Sequence, residues 1–463
     1  MKLFSASKWI FPKFIFLATC VAALLIFRSD YAAFSWGKFT FSDYGKYTNT
    51  IWNCGHGHFF KYLVDYTYLS THLSFTLALL GPFFLIWDNP FLLSFIQWMG
   101  LLTGGFILWR MAREGRCGEN LTAAILFFYV ANPFTQTVML SEFHGVALYF
   151  CLIPWLYHCL SSHKKYVGLP FILLLGLRED TGWVIAPMLF YFGVKDRWRL
   201  GYLLAALAFL YSFFAISVLF PFFGGVGFLQ RRGKVSDLIE FQVFKFHWEQ
   251  WILRLKPLLW WGLSASFFLR KKGWIPLLLF PSSALAISLT SKLPPVYLLK
   301  YHYSVGIITC LTMAIIEALT QRLKVEPGSF HGLRYALFLV LVTLLWHHAA
   351  GFLPFGKSNN RIYSTLHPEG QNILQVVKHI PKEGLLLCQD DLAGFCANRK
   401  ELMTWEYFDS RRYRPHVILV KLKSLGRYRK EYEALIQSGE FLVKYDHDGF
   451  IIWERVSPVP GPH

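Results

Sequence analysis

The sequence predicts an α-helical protein that crosses a membrane many times. Of its 463 residues, 54% are hydrophobic, 18% are aromatic and only 16% are charged, whereas a soluble chain of this length would need far more polar surface. The net charge of +18 comes mostly from short basic clusters between apolar segments. This distribution follows the positive-inside rule and does not indicate a basic groove, so we expect no nucleic-acid partner.

The first apolar segment, 10–27, is predicted to be a membrane span. Lys2 and Lys8 precede it, which places the N-terminus in the cytoplasm. A cleaved signal peptide is the alternative, but no small-residue cleavage site follows the apolar run. The long aromatic loop after this span is therefore expected to be extracytoplasmic.

The next apolar run, 73–87, is short and is interrupted by Gly81 and Pro82. If it crossed the membrane, the three arginines that follow the apolar run 91–109 would lie outside, against the positive-inside rule. We therefore predict that 73–87 is a juxtamembrane helix and that 91–109 is the second span. The first extracytoplasmic loop then runs over 28–88.

Charge alternates regularly through the nine further spans that we predict. They are 120–140, 146–161, the two arms of a hairpin over 167–194, 200–220, 251–269, 274–290, 304–320 and 333–353. All six cytoplasmic loops of this topology are basic, and the C-terminus is outside. The expectation is a transmembrane domain of about 11 helices over residues 1–353, in a bacterial or archaeal cytoplasmic membrane.

The tail, 355–463, has a different composition that predicts a small α/β extracytoplasmic domain. VILV (417–420), FLVKY (441–445) and FIIWE (450–454) have the alternation and β-branched content of strands. An Asp-Gly pair between the last two is typical of a tight hairpin. The segment 371–380 reads as an amphipathic helix.

Ionisable residues at the membrane edges fall on the extracytoplasmic side of this topology, where their cost makes a function expected. They are Asp43 and His72 in the first loop, Glu142 and His144 in the second, Arg178, Glu179 and Asp180 at the hairpin tip, Arg231 and Arg232 in the fourth loop, and Lys300 and His302 in the fifth. Carboxylates with imidazoles can supply a general base or bind a divalent cation. Arginine and lysine suit a phosphate group. Together they predict a site for a phosphate-bearing lipid.

Structural explanations for the same residues stay open. Asp43 could cap a helix, residues 178–180 could form an internal ion cluster, and Arg231 and Arg232 could contact lipid head groups. His56-Gly57-His58 looks like a metal pair, but a lone His-x-His in a glycine-containing loop is weak evidence. Two tail cysteines, Cys388 and Cys396, could pair in an oxidising compartment.

Several stretches resemble an uncharacterised family of bacterial and archaeal membrane proteins, known as a domain of unknown function. The stretches are FSDYGKYTNTIWNCGHGHFF, LSEFHGVALYFCLIPW, LREDTGW, KYHYSVGI and the tail segment that begins HIPKEGLLLCQDDLAGF. That family in turn resembles the GT-C glycosyltransferases, which use polyprenyl-phosphate sugars. The resemblance implies a GT-C-like fold, with Asp43 as the essential acid of the first loop and Glu142 as the second acid. Neither loop has a D-x-D or D-D pair, which departs from the superfamily pattern.

The function predicted by this resemblance is inverting transfer of a sugar from a polyprenyl-phosphate donor to an extracytoplasmic lipid, glycan or protein. Asp43 and Glu142 would be catalytic, and the remaining edge residues would bind the substrate or its lipid phosphate. If a divalent cation, Mg²⁺ or Mn²⁺, is used, Asp43, Glu142 and His144 would hold it; Glu142 and His144 could instead hold the sugar. The alternatives are a lipid or solute transporter, which usually binds near the midplane within inverted repeats, and a non-catalytic membrane assembly protein.

Overall fold

The first helix is longer than the first predicted span. The computed structural model describes residues 2–115, 117–162, 164–225, 248–268, 274–291, 293–325 and 329–456. Helix α1 covers Lys2–Ser35 and so continues into the predicted loop, because no glycine or proline interrupts it between Arg28 and Ser35. It ends where Gly37 adopts the left-handed conformation (φ +70°), which glycine adopts without steric cost.

The first loop is compact and contains short elements rather than a span. It is built from a π-turn at Phe41–Gly45, α2 at Lys46–Gly55, a hairpin of β1 (Lys61–Tyr62) and β2 (Tyr66–Thr67), a 3₁₀ turn at Phe75–Leu80, and α3 at Gly81–Ile86. The last two form an apolar helical stretch of residues 75–86, below the length of a membrane span. This agrees with the prediction that 73–87 belongs to the loop.

The bundle continues with eleven further helices. They are α4 (Leu92–Glu114), α5 (Glu119–Ala131), α6 (Pro133–Met139), α7 (Tyr149–Ser162), α8 (Gly168–Leu175), α9 (Thr181–Lys195), α10 (Arg199–Phe214), α11 (Trp248–Ser266), α12 (Trp274–Thr290), α13 (Val305–Val325) and α14 (Ser329–Ala350). Short helical turns extend several of them, at Gly145–Leu148, Lys164–Tyr166, Ala215–Leu219, Phe220–Phe222, Pro294–Tyr297 and Tyr301–Ser304. In the core, α5 packs against α1 and α14, α4 packs against α7, and α12 packs against α9 and α13.

The prediction of a polytopic helical membrane protein is confirmed, while the count of spans stays a prediction. Among the described residues, six helices are long and apolar enough to cross a membrane, and a seventh span results if α5 and α6, which meet at 46°, are taken together. The other four predicted spans coincide with α8, α9, α11 and α12, which are shorter or more polar. The hairpin turn at 176–180 lies where it was predicted, between α8 and α9.

The C-terminal segment forms a small mixed α/β domain, which we call the tail domain. Its elements are a short helix at Arg361–Ser364, α15 (Glu369–Val377), β3 (Leu386–Cys388), α16 (Asp390–Cys396), β4 (Leu402–Thr404), β5 (Val417–Lys421), α17 (Arg429–Gln437), β6 (Phe441–His447) and β7 (Phe450–Arg455). The five strands are ordered β4-β3-β5-β7-β6, with β3 parallel to β4 and β5 and the other pairs antiparallel.

The three strands and the helix predicted for the tail are confirmed, and β3, β4, α16 and α17 are additional. Asp448 and Gly449 both have positive φ in the β6–β7 hairpin, as the Asp-Gly signal predicts. The additional strands β3 and β4 are only three residues long, too short to show a period in the sequence. Cys388 and Cys396 are buried as free thiols.

The tail domain contacts the first loop directly through α16. A Cβ atom on Gly394 of α16 would lie 2.2 Å from the backbone oxygen of Phe39, and one on Gly45 would lie 3.3 Å from Gly394 Cα. Phe395 of the same helix stacks on Phe34, with ring centroids 4.8 Å apart. The segment that carries Asp43 is therefore held between the bundle and the tail domain.

Candidate functional site

Asp43 lies on a tight turn between α1 and α2. The turn is one turn of π-helix, Phe41–Gly45, and we call it the Asp43 turn. Phe41 and Tyr44 are fully buried, whereas the Asp43 side chain keeps 52% of its surface exposed. Two aromatic rings thus anchor the turn, and the carboxylate between them faces outward.

His144 contacts Asp43 from the next loop. Its Nε2 lies 3.4 Å from Asp43 Oδ1, and its Nδ1 lies 2.9 Å from the backbone oxygen of Glu142. Both facing atoms are hydrogen-bond acceptors, so each ring nitrogen of His144 lies where an N–H group can donate. Burial raises the pKa of Asp43, but the hydrogen bond and charge of His144, with Lys46 and His72, outweigh it and hold this pKa below its usual value. Asp43 is therefore ionised at neutral pH.

Glu142 closes the Asp43 turn through three hydrogen bonds. Its Oε1 accepts from the backbone N–H of Thr40 at 2.8 Å and from the Thr40 hydroxyl at 2.9 Å. Its Oε2 accepts from the backbone N–H of Tyr44 at 2.9 Å. The two residues that bracket the Asp43 turn are thus tied to one carboxylate, in the manner of a side chain that caps a helix N-terminus. In this geometry Glu142 holds the Asp43 turn in place.

The titration of Glu142 is expected to make stability depend on pH. Burial raises the pKa of Glu142 from 4.5 to about 7, although hydrogen bonds from Thr40 and Tyr44 lower it. Between these two pH values the folded protein binds more protons here than the unfolded chain. The free energy of unfolding should therefore fall as pH rises through this window, by at most about 3 kcal/mol.

The measurement is the apparent unfolding temperature in detergent as a function of pH. Glu142→Gln should remove the part of the slope between pH 4.5 and 7, while the exposed Glu433→Gln should leave the wild-type slope unchanged. A slope that Glu142→Gln does not alter would show that another group controls stability in this range.

His72 and Glu179 form a second acid–imidazole pair next to Asp43. His72 Nδ1 lies 3.1 Å from Glu179 Oε1, and the backbone N–H of Leu73 donates to Glu179 Oε2 at 3.3 Å. The Glu179 side chain is 4% exposed and that of His72 is 13% exposed. Because His72 also lowers the pKa of Asp43, the hairpin tip and the first loop belong to one electrostatic unit.

The other two hairpin-tip residues pair with each other. Arg178 Nε donates to Asp180 Oδ1 at 2.7 Å, and its terminal nitrogen NH2 donates to Oδ2. Both side chains are almost fully buried. Next to them, the hydroxyls of Tyr149 and Thr181 lie 2.6 Å apart. This bidentate pair fixes the tip of the hairpin, which in turn fixes Glu179.

His302 stacks on the other face of the site, directly on His144. The two imidazole centroids lie 3.5 Å apart with the rings inclined by 26°. Lys300, two residues earlier, is exposed, and its neighbours Leu299 and Tyr301 have φ of +54° and +56°. Left-handed backbone at two non-glycine residues is strained, and such strain is common at binding sites. The segment therefore carries an exposed lysine two residues before the stacked His302.

Sequence reasoning missed Lys46, which also acts on Asp43. It begins α2, and its Nζ lies 6.0 Å from the Phe41 ring centroid and 5.9 Å from that of Tyr407 in the tail domain. Its charge lowers the pKa of both Asp43 and Asp390, although burial gives Asp390 a net upward shift. The signal for Lys46 was available, since a side chain three residues after Asp43 is one turn away. Nothing in the sequence indicated the tail residues.

Some of the predicted site residues do not join this arrangement. Arg231 and Arg232 lie outside the described residues. His56 packs on Trp52, with ring centroids 3.7 Å apart, and its Nδ1 lies 2.8 Å from the Trp52 backbone oxygen. Burial and the charges of Lys400 and Lys61 lower the pKa of His58. The Gly-His-Gly-His sequence therefore forms local contacts away from Asp43.

The side chains around Asp43 do not fit the divalent-cation site considered from the sequence. Both oxygens of Glu142 accept hydrogen bonds from protein donors, and His144 contacts Asp43 through the nitrogen that a metal would need. Within the ranges that the structure describes, no group of three or more histidine, cysteine, aspartate or glutamate side chains could hold a metal ion. Metal dependence stays a prediction.

A bundle of apolar helices, a first loop that carries an ionised acid, and a small α/β tail domain define a polytopic membrane protein. The chain belongs to the family described as "Predicted membrane protein (DUF2079)", whose model matches residues 39–452. A comparison with curated proteins gave no match.

Solved structures resemble the chain over almost its whole length. ArnT from Cupriavidus metallidurans bound to undecaprenyl phosphate is 13% identical with a TM-score of 0.54, and the alignment covers 96% of this chain and 99% of ArnT. The apo form of the same protein is also 13% identical, with a TM-score of 0.49 and coverage of 99% and 100%. The first of these supports the GT-C-like fold expected from the sequence.

Proposed function

We propose that the chain is a membrane glycosyltransferase that transfers a sugar from a polyprenyl-phosphate donor to an extracytoplasmic acceptor, with inversion at the anomeric carbon. The observation that carries the proposal is the ionised, half-exposed Asp43 next to His144 at the edge of a GT-C-like bundle. Support for the donor class comes from the ArnT neighbour, whose structure contains undecaprenyl phosphate.

In this proposal Asp43 is the general base. The acceptor hydroxyl gives its proton to Asp43 as its oxygen bonds to the anomeric carbon, and the bond from that carbon to the phosphate oxygen breaks. The electron pair leaves with the polyprenyl phosphate. Because Asp43 has a lowered pKa, it is available as a base over a wide pH range, and it orients the acceptor as well as accepting the proton.

Cations near Asp43 are suited to the leaving phosphate, where negative charge develops. The charge of Lys46 acts on Asp43, and Lys300 precedes by two residues His302, whose ring stacks on that of His144. His72, held by Glu179, adds a third imidazole at the same place. Glu142 holds the turn and takes no part in proton transfer.

The test is whether the purified protein retains and uses such a lipid. Lipid mass spectrometry on the full-length protein should detect co-purified polyprenyl phosphate, and added polyprenyl-phosphate sugars from the same membranes should be converted to free polyprenyl phosphate. The protein could bind the lipid and yet form no free polyprenyl phosphate with any membrane fraction supplied as acceptor. That result would contradict the proposal and favour lipid transport. A protein that retains no polyprenyl lipid would contradict both.

A further inference from the structure

A second candidate binding site lies at the opposite end of the bundle from Asp43. It is a cleft of about 460 Å³ that we call the Arg110–Lys165 cleft, between the C-terminal ends of α4 and α7 and the turn that follows α7. His158 on its wall is 14 residues beyond His144 along a helical stretch. At 1.5 Å per residue this separates the cleft from Asp43 by roughly 20 Å.

The cleft is lined by more positive than negative charge. Arg110 and Lys165 are exposed at its rim, and His158 lies on its wall. Glu114 is the neighbouring carboxylate, and its Oε1 accepts from Arg110 Nε at 2.8 Å while its Oε2 lies 3.8 Å from His158 Nδ1. The hydrogen bond from Arg110 to Glu114 uses one of the five N–H donors of the Arg110 guanidinium. Donors therefore remain for an anionic group.

Aromatic rings indicate that the cleft lies at the level of a membrane interface. Lys165 Nζ lies 4.8 Å from the ring centroid of Tyr166, and the Arg113 guanidinium lies 5.3 Å from that of Trp109. Tyrosine and tryptophan are enriched where the head groups begin. Cationic side chains that lie over such rings gain a cation–π contact, and lysine and arginine near helix ends extend to the same interface.

The lower wall of the cleft is apolar and open to the surroundings. Leu169 at the start of α8 lines the cleft and is 57% exposed. Ile172, one turn further along α8 and beyond the cleft lining, is 66% exposed. Trp155 of α7 completes this wall and is half-buried. On a membrane helix, exposed aliphatic side chains face acyl chains. The cleft thus combines a cationic rim with an apolar wall below it.

We infer that the Arg110–Lys165 cleft binds the head group of an anionic phospholipid, whose acyl chains lie along Leu169 and Ile172. A basic pocket between membrane helices is the known physical form of such sites. A free phosphate would engage the rim alone, because the apolar wall offers it nothing. This site is separate from the Asp43 site and does not depend on the function proposed for it.

The experiment uses the full-length protein in nanodiscs of equal parts phosphatidylglycerol and phosphatidylcholine, followed by native mass spectrometry of the released protein. Wild type should retain phosphatidylglycerol preferentially. In the double variant Arg110→Gln, Lys165→Gln, the preference for phosphatidylglycerol over phosphatidylcholine should fall about thirtyfold, because each cation contributes about a fivefold factor. The matched control Lys423→Gln, Lys430→Gln removes two exposed tail-domain cations and should behave as wild type.

Equal retention by wild type and the Arg110→Gln, Lys165→Gln variant would overturn the inference, as would an equal loss in the tail-domain control. Displacement of the lipid by inorganic phosphate would show a simple anion site and would overturn the assignment to a lipid. If the double variant unfolds, the single variant Lys165→Gln alters an exposed side chain and should still lose about fivefold.

Discussion

Replacing Asp43 by asparagine is expected to lower the rate of sugar transfer by about 10²–10⁴-fold, the usual contribution of a general base. Asparagine has nearly the same shape, so the Asp43 turn, with Phe41 and Tyr44 buried, should keep its fold. Binding of the polyprenyl phosphate should change little, because the base acts on the acceptor. The measurement is the rate of polyprenyl-phosphate release from polyprenyl-phosphate sugars, together with lipid retention.

The matched control for this prediction is Asp446→Asn. Asp446 is an exposed aspartate on β6 of the tail domain, so the same chemical change is made away from Asp43. It should leave the rate at the wild-type value. Full activity of Asp43→Asn would remove Asp43 from the mechanism, and equal losses in both variants would indicate a general loss of folded protein.

Replacing Glu142 by alanine is expected to reduce transfer about a hundredfold without reducing lipid retention. The change removes the acceptor of three hydrogen bonds, two from Thr40 and one from Tyr44. The Asp43 turn then loses its clamp, and displacement of a catalytic group by about 1 Å is enough for an effect of this size. The measurement separates the maximal rate from the half-saturating lipid concentration, and only the rate should fall.

The conservative variant Glu142→Gln separates positioning from direct catalysis. Its amide oxygen can still accept from the Thr40 donors, but its NH₂ group cannot accept from the Tyr44 N–H. A positioning residue should therefore give an intermediate rate in Glu142→Gln, above that of Glu142→Ala. Equal inactivation by both substitutions would instead mean that the ionised carboxylate of Glu142 takes part in the reaction.

Much of the fold followed from hydrophobic patterning and loop charge. Helices over the predicted apolar segments, the short helical stretch within 73–87, and strands β5, β6 and β7 were predicted from the sequence and are found in the structure. The predicted span 120–140 is instead two helices that meet at 46°. The end of α1 was not predicted. Hydropathy falls at Arg28, but the helix continues until Gly37 changes the backbone conformation. Hydropathy reports what can lie in lipid, and it does not report where a helix ends.

The candidate site was predicted as a set of residues and not as a geometry. The sequence singled out Asp43, Glu142 and His144 as neighbours on one side of the membrane, because charge alternation assigns their loops to that side. It did not indicate that Glu142 accepts hydrogen bonds from the turn that carries Asp43. Nor did it indicate that the tail domain brings Tyr407 and Asp390 to Lys46.

The sequence alone therefore determined that this is a polytopic membrane protein with an acid-bearing first loop and a small α/β tail. These features depend on composition and periodicity, which are set by residues that are close together along the chain. Only the tertiary structure decided which groups each acid contacts. Glu142 is tied to Thr40 across 102 positions of the sequence, and Asp43 meets His144 through a contact of similar range. Hydrogen bonds depend on distance and angle in space, and these become fixed only when the helices pack.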